Sequence, residues 1–163
     1  MFENQWFYLF CISMLPVVEL RGGIPVGAAM GLPFWAVYPV CILGNLLPAP
    51  FLILFAKTVL QKLATLPKVG GFFSRLIRRA DEKAEQIGKY EKWGLFLLVA
   101  IPLPGTGAWT GSLVAAVLRM RLLPAVLIIA AGVMVSGLIV SGVSYGVFAA
   151  LAACIRPDIN RYR

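Results

Sequence analysis

The sequence predicts an all-α integral membrane protein, on three observations. Of its 163 residues, 60% are apolar and 13% charged, against roughly 45–50% and 25% in soluble domains. Mean hydropathy is +0.86. Charges are absent from four long stretches, residues 4–18, 22–56, 93–118 and 122–155. A soluble globule of this length has too little interior to hide so much apolar surface. A spanning helix, by contrast, needs about 20 such residues. The same figures exclude a disordered chain, a coiled coil and a secreted disulfide scaffold. Residues 1–163 read as a single membrane domain.

Residues 5–15 are an apolar half-helix. PVVELRGGIPVG (16–27) follows, with two prolines, three glycines and two charges. Prolines and glycines at this density break a helix. Residues 5–31 therefore read as a re-entrant hairpin whose backbone opens around Glu19 and Arg21. Residues 33–56 read as the first full span, kinked near Asn45 by Pro48 and Pro50. Residues 57–92 hold nine basic and four acidic residues. There Phe73, Leu76, Ile77, Ala80, Ala84 and Ile87 recur at helical spacing. That pattern fits an amphipathic helix on the membrane surface or a solvated linker helix. The positive-inside rule makes it cytoplasmic in either case.

Residues 93–118 are long enough to span, but PLPGTG (102–107) interrupts their middle. The two halves predict a second re-entrant hairpin. Broken backbone at membrane depth is tolerated where protein buries it or a wet cavity lines it. Residues 122–152 read as the last span. Its Gly132, Gly137, Gly142 and Gly146 suit close helix packing.

Sliding the chain on itself by 88 positions pairs Leu9 with Leu97, Leu15 with Leu103, Pro16 with Pro104 and Gly23 with Gly111. It also pairs Val26 with Val114, Ala28 with Ala116 and Gly44 with Gly132. Two repeats are expected, residues 1–56 and 93–155, each a hairpin plus one span. Such a unit crosses the membrane once, so the second copy is inverted. Inverted repeats with broken helices are a mark of secondary transporters. The basic residues conflict on the last side: a second hairpin leaves Arg156, Arg161 and Arg163 outside, and a full span there exposes Arg119 and Arg121 instead.

The net charge of +8 sits beside apolar runs. It points to positive-inside topology and anionic lipid rather than nucleic acid. Histidine is absent, and Cys11, Cys41 and Cys154 lie far apart in apolar runs. Buried free thiols are expected, with no metal or cofactor. The N-terminus has no basic region before its first apolar run, so no cleaved signal peptide is expected. No nucleophile–base set and no nucleotide loop occurs, so the chain is not expected to be an enzyme and transport would be gradient-driven.

Glu19 and Arg21 are the only charges between residues 4 and 56. Ionisable groups at membrane depth cost at least about 2.5–3.5 kcal/mol each on insertion scales and are usually functional and paired. Arg21 beside exposed backbone N–H groups suits a phosphate. Glu19 in an apolar place could carry a proton. The plainer alternatives are an interfacial loop, or a pair that only stabilises the hairpin. Thr106, Trp109, Thr110 and Ser112 suit hydrogen bonding to substrate or to their own broken helix. Asn45 either faces a cavity or bonds a neighbouring helix.

VVELRGGIPVGAAMGLP, GNLLPAPF and PLPGTGAWTGSLVAAVL resemble the bacterial small multi-drug export protein family, and the likeness covers nearly the whole chain. That family is in turn distantly similar to the DedA (VTT-domain) membrane proteins. The resemblance implies two re-entrant hairpins facing each other in an inverted repeat. It implies movement of polyprenyl phosphate or another phospholipid, coupled to protons or sodium. By motif, Glu19 and Arg21 become the acidic and basic pair of hairpin one. The second hairpin departs from the DedA pattern: it carries no arginine, and Arg119 and Arg121 lie just past it.

The expectation is thus a multi-pass secondary transporter or lipid translocase of the bacterial cytoplasmic membrane. Its substrate would be an amphiphile with a phosphate head. The expected binding and coupling residues are Glu19, Arg21, Gly22, Gly23, Pro25, Asn45, Pro102, Pro104, Gly105, Thr106, Gly107, Trp109 and Thr110. The alternatives are a small multidrug exporter with Glu19 as the cation site, and a non-transporting scaffold. So few spans have little bulk to enclose a path, and a homodimer is expected.

Overall fold

The computed structural model describes residues 3–64, 90–103 and 105–155; side chains are described for 4–62, 90–103 and 105–150. The amphipathic helix expected around Phe73–Ile87 lies outside the described residues, as does Pro104. Among the described residues every regular element is an α-helix. In order they are α1 (Glu3–Met14), α2 (Glu19–Ala29), α3 (Phe34–Leu46) and α4 (Pro48–Ala64). Then come α5 (90–100), α6 (Ala108–Val117) and α7 (Leu122–Ile155).

Phe34–Lys62 and Leu122–Ala150 are 29 residues each, long and apolar enough to cross a membrane. At 1.5 Å per residue, about 20 residues cover the hydrocarbon core. The first of these is interrupted at Leu47, where α3 stops and Pro48 opens α4. Proline is tolerated at a first helical position because its missing N–H would have no partner there. Helix α4 continues eight residues past the predicted end of the span at 56, reaching Ala64. Large apolar side chains point outward along both helices: Trp35 is 84% exposed, Phe51 and Phe55 69%, Leu123 70%. Apolar surface on that scale requires lipid rather than water around it.

The first break is shorter than expected. The break is confined to residues 15–18, and α2 starts at Glu19 and runs through Gly22, Gly23 and Pro25. The backbone does not open around Glu19 and Arg21. The glycines serve packing instead. A Cβ on Gly23 would lie 2.2 Å from Ser13 Oγ, and one on Gly27 2.6 Å from Val37 Cγ1. Small residues let helices approach until their backbones nearly touch, which lipid alone does not drive. The second break falls at the expected PLPGTG, with residues 101–107 non-helical wherever described and Gly105 and Gly107 at positive φ.

Contacts divide the chain into two compact units, Met1–Gly44 with Gly137–Arg163, and Asn45–Ser136. The first unit contains α1, α2, most of α3 and the C-terminal part of α7. Leu9, Leu20, Ile24, Val37 and Cys41 form its core. The Tyr145 hydroxyl donates to the Leu32 carbonyl at 2.9 Å, and Phe34 stacks edge-on against Tyr145. The second unit contains α4, α5, α6 and the N-terminal part of α7. Its core is Ile53, Leu95, Val99, Ala115, Ala125, Ile129 and Val133. Gly111 and Gly132 both press on Val99.

Local geometry recurs at the 88-residue spacing. Helix α2 ends with Leu32 N–H donating to the Gly27 carbonyl (3.1 Å) and Gly31 N–H to Ala28 (3.0 Å). Helix α6 ends with Met120 N–H donating to Ala115 (3.0 Å) and Arg119 N–H to Ala116 (3.1 Å). Both are Schellman caps, and both place their left-handed residue, Gly31 or Arg119, at the same position. Val37 N–H then reaches back to Pro33, as Ala125 N–H does to Arg121. Gly23 lies against Cys41, and Gly111 against Ile129. Every residue in the second set is its counterpart plus 88.

Candidate functional site

The residues expected to carry function fall in both units. Glu19, Arg21, Gly22, Gly23 and Pro25 belong to the first, and Asn45 and the hairpin-two residues to the second.

Glu19 opens α2 with its N–H donating to the Leu15 carbonyl at 2.9 Å. Only 5% of the residue is exposed, and its φ is 51°. The left-handed region costs a non-glycine residue about 1–2 kcal/mol. Its counterpart at the 88-residue spacing, Gly107, also has positive φ (143°) but no such constraint. A buried carboxylate at a helix N-terminus is favoured by the helix dipole. Arg21, two residues on, is half-buried and feels the attraction of the Glu19 charge. A Cβ on Gly22 would fall 2.1 Å from Val18 Cγ1, so the turn closes tightly behind the pair. Pro25 removes the N–H that would otherwise bond back to the Arg21 carbonyl. A carboxylate and a guanidinium that feel each other's charge thus stand at the start of a helix whose preceding turn is only four residues long.

Asn45 is 1% exposed, and neither its Oδ1 nor its Nδ2 has a hydrogen-bond partner among the described residues. Burial of an unbonded amide costs about 1–3 kcal/mol. No helix-to-helix bond of Asn45 is present among those residues. It sits beside the interruption at Leu47.

The hairpin-two hydroxyls turn toward their own loop. Thr106 Oγ1 donates to the carbonyls of Ile101 and Leu103, Thr110 Oγ1 to Gly105, and Ser112 Oγ to Ala108. The threonine bonds brace the broken segment, and the Ser112 bond runs back one turn within α6. Pro102 and Trp109 are half-buried, Gly105 is exposed and Gly107 buried. Of the cysteines with described side chains, Cys41 is buried and Cys11 half-buried, and both are free thiols.

One grouping was not legible in the sequence. Lys57 of α4 donates from Nζ to the Met120 carbonyl, just past α6. This brings Lys57 and Arg119 to one cavity, lined also by Gln61. In the sequence Lys57 opens the basic segment, and Arg119 lies just past PLPGTGAWTGSLVAAVL. Nothing in either local sequence signals the other.

Comparison with known proteins gives one match. The family model described as "Putative small multi-drug export protein" matches residues 19–139, which begins at Glu19 and includes both hairpin motifs from there on. No curated protein and no solved structure matches. The family description is of export, a transporter-type role, and agrees with two apolar helices able to cross a membrane. A match over 121 of the 163 residues makes this chain a member of the small multi-drug export protein family.

Proposed function

We propose that the protein is a proton-coupled secondary transporter of the bacterial cytoplasmic membrane that moves an amphiphile with a phosphate head. The observation that carries this reading is Glu19: buried at the start of α2, close enough for Arg21 to feel its charge, and held at a left-handed φ of 51°. Strain kept at a charged, buried position is characteristic of functional sites. Arg21 would bind the phosphate, helped by the positive end of α2. Glu19 would take a proton as the head enters and release it as the head leaves. Neutral Glu19 frees Arg21 for an anion; ionised Glu19 competes with that anion. Substrate and proton thus exchange at one pair. Asn45, with its unbonded amide, is a candidate for the polar part of the substrate elsewhere on the path.

In this reading α1–α2 and α5–α6 are re-entrant hairpins of an inverted repeat, as in DedA-like translocases. Hairpin two opens to the cytoplasm. The basic segment rests on anionic lipid, and two copies form a homodimer. No catalytic step is assigned.

The test uses purified protein in liposomes carrying undecaprenyl phosphate, with an imposed pH gradient. Glu19→Gln should lower flux at least tenfold and remove its dependence on the gradient. Arg21→Ala should abolish thermal stabilisation by undecaprenyl phosphate. Flux and stabilisation unchanged in both variants overturn the mechanism.

The family description favours a second reading, export of cationic drugs with Glu19 as the cation site. It predicts stabilisation by a cationic dye such as ethidium, lost in Glu19→Gln and kept in Arg21→Ala.

A further inference from the structure

Helices α5 and α7 meet at Gly132, where a Cβ would lie 2.7 Å from Val99 Cβ and 3.1 Å from the Phe96 carbonyl oxygen. A small residue lets the two backbones approach this closely. The same two helices line an apolar groove of about 440 Å³, with Lys92, Trp93 and Phe96 from α5 and Leu127, Ile128 and Ala131 from α7. All six residues belong to one compact unit. The volume falls within the roughly 300–1,000 Å³ of ligand pockets. Trp93 stands edge-on to Phe96, with ring centroids 5.9 Å apart, and Ala131 opposes these rings with no more than a methyl group.

The lining carries one charge, Lys92, which is exposed. A lysine in such a place lays its stem along apolar surface and keeps its ammonium in the polar layer. Tyr90 and Trp93, both exposed, mark the level of that layer, because tyrosine and tryptophan concentrate where a membrane meets water. Lipid phosphates lie at the same level. Lys92 also closes the stretch of nine basic and four acidic residues at 57–92, so this end of α5 stays cationic whatever ion pairs form within the stretch. A neutral lipid matches the apolar walls but makes no use of the charge. A cationic amphiphile matches the walls and is repelled by the charge. An acyl chain below an anionic phosphate suits both.

We propose that this groove holds an anionic phospholipid of the surrounding bilayer, with its acyl chain against Phe96, Leu127, Ile128 and Ala131 and its phosphate on the Lys92 ammonium. The site shares no residue with the Glu19–Arg21 pair and does not depend on the transport reading.

The test follows Trp93 fluorescence in the full chain, with Trp6, Trp35 and Trp109 replaced by Phe, in phosphatidylcholine vesicles. Bromine on an acyl chain quenches an indole only at close range. Brominated phosphatidylglycerol is compared with brominated phosphatidylcholine at equal mole fraction. The preference for phosphatidylglycerol should be about fivefold, the factor that one lysine gives at an anionic surface. Lys92→Gln should bring it close to one. Ala131→Phe, which fills the groove and keeps the charge, should lower it as far. Lys68→Gln, which removes a charge from the same basic segment, should keep it. Equal quenching by the two lipids, or a preference kept in Lys92→Gln or in Ala131→Phe, overturns the proposal. An equal loss in Lys68→Gln makes the attraction a property of the whole basic segment and overturns it too. Absence of quenching by either lipid means that protein, such as a second copy, covers the groove, and overturns it equally. If the tryptophan replacements prevent folding, thermal unfolding of the native sequence gives the answer. Phosphatidylglycerol should then raise the Tm above its value in phosphatidylcholine, with the excess reduced in Lys92→Gln and in Ala131→Phe; an excess that either variant keeps in full overturns the proposal.

Discussion

A single methyl group separates two kinds of glycine in this chain. A Cβ on Gly23 would sit 2.2 Å from Ser13 Oγ and 3.0 Å from Cys41 Sγ, whereas one on Gly142 meets nothing within 4 Å. Gly23→Ala should destabilise by about 1–3 kcal/mol, the usual range for overpacking. Gly142→Ala should be neutral or stabilise by up to about 1 kcal/mol. Thermal unfolding in mild detergent compares the two directly. The sequence read all four glycines of the last span as one packing face; the structure supports Gly132 and Gly137 in that role and leaves Gly142 and Gly146 with no neighbour. Which glycine is needed depends on what stands opposite, and no local pattern records that. Asn45 is a second case. Replacing an unbonded buried amide by an apolar side chain of similar shape removes a desolvation penalty. Asn45→Leu should therefore raise stability by about 1–3 kcal/mol while lowering flux. A loss of stability instead would show that the amide is bonded in the folded protein.

Elements were legible where proline and glycine interrupt apolar runs. The helix breaks at 15–18 and 101–107 fall in such stretches, and α3 gives way to α4 where the sequence expects a kink near Pro48. The extent of the first break was not, because Gly22, Gly23 and Pro25 carry the same breaking propensity inside a helix as outside one. Propensity differences of about 1 kcal/mol for glycine yield to backbone hydrogen bonding in an apolar setting, where an unsatisfied group costs several. Helix α2 forms for that reason. Hairpin two is stapled by side chains instead. Thr106→Val removes the hydroxyl that bonds Ile101 and Leu103 and should cost about 1–2 kcal/mol, and Thr106→Ser should restore most of it. If Thr106→Val keeps full stability and loses only flux, the hydroxyl serves the substrate rather than the loop.

On the scale of the molecule, the compact units cut the chain differently from the sequence repeats. Each repeat is a contiguous stretch of hairpin and span, yet each compact unit takes one hairpin and parts of both long apolar runs. Cutting the chain in the basic segment should therefore leave neither half stably folded alone. Co-expression of residues 1–75 and 76–163 should recover a complex that unfolds as one species, read by size exclusion and thermal denaturation. Sidedness is tested in the same frame: a cysteine at Ser74, in a background with the native cysteines replaced, should be labelled only from the cytoplasmic side. Native mass spectrometry from several detergents should show a dimer, and a clean monomer in all of them counts against it.

Composition and the placement of charge were enough to establish a helical membrane protein, its two long apolar helices and the two places where its other helices break, because insertion into lipid depends on summed hydropathy and on where backbone can break. The 88-residue spacing was also written in the chain: of the residues it pairs, Ala28 and Ala116 accept equivalent bonds at the ends of α2 and α6, and Gly23 and Gly111 take equivalent contacts inside those helices. Only the tertiary structure decided what those positions do. It set Glu19 in a buried, left-handed start of α2, turned the glycines of α2 into contact points, and brought Lys57 to Arg119. These outcomes depend on which side chains meet across helices far apart in sequence, and side-chain meetings of that kind leave no periodic trace along the chain.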